Sequence, residues 1–110
     1  MTYELLLVPR AESEVDRIVH YLAERSPQGA AAWCDRWLEV LAELRSDPLK
    51  HGLAPESKEY STAVRQVLFK TRRGRVYRAL YTVVGRGVYI IHVRGPRQDL
   101  TRRRQMRRGS

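Results

Sequence analysis

The sequence predicts an α+β fold in which a helical hairpin packs on one face of an antiparallel sheet. Two patterns predict it. Apolar residues recur with a helical period through the first half of the chain, and the period changes to alternation after residue 62. The length of 110 residues adds that one domain with one core is expected.

The elements follow in order. "TYELLLV" (residues 2–8) is β-rich, and Pro9 closes it. "RAESEVDRIVHYLAER" puts Val15, Ile18, Val19 and Leu22 on one helical face. Its acids crowd the first turns and Arg25 ends it, which suits the helix dipole. Ser26-Pro27 reads as a cap followed by proline at the first helical position. The second helix carries Ala30, Trp33, Cys34, Trp37, Leu38, Leu41 and Leu44 on a broad face, and Asp47-Pro48 stops it. So short a link between the helices predicts an antiparallel pair. Residues 48–62 form a polar loop with proline and glycine. Then "AVRQVLFK" (63–70), "RVYRALYTV" (75–83) and "GVYIIHVR" (87–94) form a meander joined by short glycine-bearing turns. The order is β-α-α-β-β-β over residues 1–100, with a basic tail at 101–110.

Charge is distributed unevenly. Residues 1–61 hold seven Lys/Arg and eleven Asp/Glu, whereas residues 62–110 hold fourteen Lys/Arg and a single acid, Asp99. Soluble surfaces usually intersperse both signs, so the second half implies a polyanionic partner. No apolar run approaches the roughly 20 residues that cross a bilayer. The N-terminus lacks the plan of a secretory signal, so a cytoplasmic protein is expected. Cys34 is the one cysteine and is expected as a reduced thiol. His20, His51 and His92 have no ligand spacing, so neither metal nor cofactor is expected.

Alternation assigns the faces of the sheet. Tyr77, Ala79, Tyr81 and Val83 form the better core side, which leaves Arg78 on the other with Val76, Leu80 and Thr82. In the last strand His92 and Arg94 share a side with Val88 and Ile90, opposite Tyr89, Ile91 and Val93. Arg78, His92 and Arg94 are therefore expected on an uncovered face. Tyr77, Tyr81 and Tyr89 are expected mainly under the helices, and Trp33 and Trp37 in the core.

The element order, the amphipathic hairpin, "VYRALYTV" and "VYIIHVRGPRQDL" together resemble the RelE/ParE superfamily, the toxins of type II toxin–antitoxin modules also called plasmid stabilisation proteins. The resemblance covers residues 2 to about 100. It implies one of two activities. RelE-like members cut mRNA in the ribosomal A site without a metal, and ParE-like members poison DNA gyrase without RNA chemistry. It also implies a cognate antitoxin as partner, in a toxin–antitoxin hetero-oligomer. Arg78 matches the strand arginine of the nucleases, and Arg97, or Arg94, the arginine beyond the last strand. Arg65 and Lys70 lie in the strand that supplies further basic residues, and His92 lies near where some members place a histidine. After Arg97 there is no tyrosine, where several RelE-like enzymes use one. The two long helices are similar to the ParE branch.

Cleavage through the 2′-hydroxyl needs a base, an acid and cations for the developing phosphorane. Guanidinium suits the last task, so Arg78 and Arg97 are the candidates. His92 suits acid or base work. The plainer roles are a strand histidine bonded to a neighbour, and an Arg78 salt bridge whose acid comes from the first half or another chain. Arg102 and Arg103, with Arg65, Lys70 and Arg94, are candidates for nucleic-acid or target binding. The sequence favours a RelE-like endoribonuclease, with a ParE-like gyrase inhibitor and an inactive antitoxin- or nucleic-acid-binding module as alternatives.

Overall fold

The computed structural model describes residues 2–96. Strand β1 (Glu4–Leu7) leads into helix α1 (Pro9–Arg25), and Ser26 alone separates α1 from α2 (Pro27–Ser46). Two 3-10 turns, Pro48–Lys50 and Pro55–Glu59, precede β2 (Arg65–Phe69), β3 (Tyr77–Val84) and β4 (Gly87–Arg94). Each helix begins with proline in its first turn, where the missing N–H costs nothing. Ser26 caps α2 by accepting the Gly29 N–H at 3.0 Å.

The strand order is β1-β4-β3-β2. β2, β3 and β4 are antiparallel as expected, but β1 joins β4 in parallel, so the sheet is mixed rather than antiparallel. Alternation within a strand gives no information about the direction of its neighbour. The β3–β4 turn relies on Gly85 at φ 57, a conformation that only glycine adopts without strain.

One face of the sheet meets both helices. Ala11 and Ile18 of α1 and Trp33, Trp37, Val40 and Leu44 of α2 pack on Val67, Phe69, Ala79, Tyr81, Val88, Ile90 and Val93. Trp33 sits at the centre, its ring 5.8 Å from those of Trp37 and Phe69 and 5.5 Å from that of Tyr77. Leu38, expected on the packed face, is 62 % exposed, while Val40 is fully buried.

The face expected to stay open is partly covered. The segment between α2 and β2 folds over it and buries Leu80 with Ala54 and Val64. The isolated bridge between Leu53 and Arg65 and the bond from the Ala54 N–H to the Val64 carbonyl (2.8 Å) hold this flap to β2. A polar loop carries no periodic signal, so its return across the sheet was not legible.

A register shift also corrects the face assignment in β4. Leu80 pairs with His92 but Tyr81 pairs with Ile90, so Ile91 is an extra residue. The bulge puts Val88, Ile90 and Val93 in the helix-side core and leaves Ile91 against the flap cluster. Tyr89, in register with Thr82 and with the exposed Leu6, lies on the face away from the helices rather than beneath them.

Candidate functional site

The bulge decides where the basic residues go. Arg78 lies opposite Arg94 and Leu80 opposite His92, so these four share the face turned away from the helices. Two positive groups in register on neighbouring strands repel, and each finds compensation from the acidic half of the chain.

Glu56, in the 3-10 turn Pro55–Glu59, supplies the first. Its two carboxylate oxygens accept from both terminal nitrogens of Arg78, at 2.9 Å from Nη1 to Oε1 and with Nη2 closing the fork. Arg78 Nη1 also donates to Gln66 Oε1 at 3.1 Å. The side chains of Arg78 and Glu56 are 19 % and 25 % exposed. A bidentate, half-desolvated pair of this kind fixes the flap to β3 as well as neutralising the cation.

Glu14 of α1 supplies the second. β1 ends at Leu7, so the second half of β4 has no strand on that side. Glu14 takes the place of one: its Oε1 accepts the Val93 N–H at 2.9 Å. Its Oε2 lies 3.4 Å from His92 Nδ1, and Arg94 Nη2 lies 3.2 Å from the same nitrogen. Glu14 and His92 are 8 % and 6 % exposed. Burial works against the Glu14 charge, but the His92 and Val93 hydrogen bonds and the nearby Arg94 outweigh it and lower the carboxyl below its ordinary value.

Arg65 turns to the backbone, donating to the His51 carbonyl at 2.6 Å and more weakly to that of Leu49 at 3.4 Å. It holds the start of the flap, where the Tyr81 hydroxyl also donates to the Pro48 carbonyl. Burial pushes the Tyr81 phenol up to about 12. Lys70 is exposed at the end of β2. A cleft of about 410 Å³ opens between Val8 and Arg10 on one side and Tyr60, Thr62 and Val64 on the other, with Ile91 and His92 in its lining.

The structure thus brings Arg78, His92 and Arg94 together on one face and leaves Arg65 and Lys70 apart from them. Arg97, Arg102 and Arg103 lie outside the described residues, as does the 101–110 tail. Among the described residues no group of His, Cys, Asp and Glu could hold a metal, and no helix is long and apolar enough to cross a membrane. Sequence reasoning missed Glu14 and Glu56. Glu14 carried a signal, because an acid in the stripe Ala11–Glu14–Ile18 faces the sheet. Glu56, in a loop, carried none.

The fold has solved counterparts. A chain described as "Chromosomal ParDE TA system from P. aeruginosa" aligns over 86 % of this chain and 96 % of its own, with TM-score 0.62 and 21 % identity. None of the curated proteins matches. The family model described as the ParE toxin of the type II toxin–antitoxin system, parDE, matches residues 5–100. With nearly the whole described fold inside that match, the chain belongs to the ParE toxin family.

Proposed function

We propose that this chain inhibits growth by binding its target rather than by cutting RNA, and that the target is DNA gyrase, the activity implied by the ParE branch. The sequence favoured RNA cleavage on the strength of sheet-face cations. The observation that carries the revised reading is the Arg78–Glu56 fork. Transition-state stabilisation needs a guanidinium aimed at the developing charge and not already neutralised. Arg78 instead ties the flap to the sheet. His92, the candidate acid or base, is buried against Glu14. Membership of the ParE family supports the same reading, and a cognate antitoxin completes it as the partner that silences the toxin.

The test is induction without antitoxin, followed by pulse-labelling of DNA and protein synthesis. The expected result is an early fall in DNA synthesis with DNA-damage signalling and filamentation, while translation continues at first. An immediate fall in protein synthesis accompanied by cut mRNA would overturn the proposal.

A further inference from the structure

Among the described residues, basic side chains that the acidic half does not reach cluster at the tip of the β2–β3 hairpin. Lys70, Arg72, Arg73 and Arg75 fall within "KTRRGR", and all four are exposed. Among the described residues none of their side chains makes a hydrogen bond or ion pair. The tip is a defined turn: the Gly74 N–H donates to the Thr71 carbonyl at 3.2 Å. A Cβ on Gly74 would lie 2.2 Å from the Thr71 hydroxyl oxygen, so glycine lets the turn close tightly. The strands behind it are anchored by Phe69 and Tyr77, which stack on each other with Tyr77 against Trp33. Four cations are therefore presented on a ribbon whose base is fixed in the core.

We propose that this hairpin tip is a contact for the phosphate backbone of duplex DNA. The inference goes beyond the gyrase reading and stands independently of it. A protein partner of comparable affinity would call for an aromatic or aliphatic anchor at the centre of the patch; residues 70–75 contain none, and the exposed Leu68 and Val76 flank the tip rather than centre it. Phosphate recognition needs only Arg and Lys. A two-stranded ribbon fits the major groove of B-DNA, whereas the major groove of A-form RNA is too deep and narrow for one. Contacts of this type are independent of base sequence.

The experiment is fluorescence anisotropy of the full chain with a labelled random-sequence DNA duplex across a salt series. The hairpin variant carries Lys70→Gln, Arg72→Gln, Arg73→Gln and Arg75→Gln. It is compared with wild type in the natural background and in one where Arg102, Arg103, Arg104, Arg107 and Arg108 are each changed to Gln. Neutralising four phosphate contacts should reduce the slope of log Kobs against log salt by about 3.6 in both backgrounds. Between 50 and 200 mM salt, wild-type affinity should then fall about 150-fold more than that of the variant. Arg72→Lys, Arg73→Lys and Arg75→Lys together should keep the slope, because the contact reads charge. An unchanged slope in the Gln variant, with an unchanged melting temperature, overturns the proposal. So does loss of poly-glutamate binding with DNA binding intact, which would assign the tip to an acidic protein segment. Tighter, equally hairpin-dependent binding to duplex RNA overturns the choice of DNA.

Discussion

The flap-covered sheet face and the β2–β3 hairpin tip are built from the same kind of residue and put it to opposite use. On the face, Arg78 meets Glu56, His92 meets Glu14, and Arg94 lies against His92 with Glu14 nearby. At the tip, Lys70, Arg72, Arg73 and Arg75 pair with no acid among the described residues. Each acid on the face comes from the first half of the chain, brought across by α1 or by the flap. The chain's basic excess is thus partly spent on holding its own layers together, and only the remainder is available to a partner. A count of charges cannot separate the two uses; the fold can.

The comparison can be broken most forcefully at Glu14. Glu14→Ala would leave the buried Val93 N–H without its acceptor and remove the carboxylate from beside His92 and Arg94, and a loss of about 3 kcal/mol is expected by urea unfolding. The carboxyl is lowered in the folded state, so its contribution is present above its unfolded pKa near the ordinary 4.5 and is lost as pH falls through the folded value. Glu14→Gln should therefore flatten the acid limb of a stability–pH profile below about pH 5.

The next largest effect is expected at the fork. Glu56→Ala should cost about 2 kcal/mol, because a half-buried guanidinium loses its bidentate partner. Replacing both members, Arg78→Leu with Glu56→Leu, should cost less than Glu56→Ala alone, since no unpaired charge remains. A double variant as unstable as the two single variants combined would show that the ion pair is not the unit. Tyr81→Phe should cost about 1 kcal/mol for the bond to the Pro48 carbonyl. The four-fold Gln variant of the hairpin marks the other end of the comparison. Its stability should stay within about 0.5 kcal/mol of wild type, since exposed side chains without partners hold nothing. A larger loss would mean that the tip, like the face, serves the fold.

What could be read from the sequence follows from what leaves a periodic trace. Val15, Ile18, Val19 and Leu22 drew the first helix, Ser26-Pro27 its junction with the second, and Tyr77, Ala79 and Tyr81 the core side of β3. The parallel seating of β1 left no trace, because pairing direction depends on the strand alongside. The bulge at Ile91 was hidden as well, and with it the reversal that places Tyr89 outward. Arg78 and His92 do share the face away from the helices, but unbroken alternation put Val88 and Ile90 on that face with His92, and the bulge is what separates them. The scarcity of acids in the second half leaves the first half or another chain to supply a partner for Arg78, and Glu56 of the first half does so. What alternation could not supply was the flap itself, since "PLKHGLAPESKEYST" has no period to follow.

The most direct test gives one preparation of the purified chain to two reactions, DNA supercoiling by gyrase and mRNA in a programmed ribosome. Dose-dependent loss of supercoiling with the message left whole is the outcome predicted here. Cut message at the ribosome, with gyrase unaffected, would contradict the account and return Arg78 to catalysis.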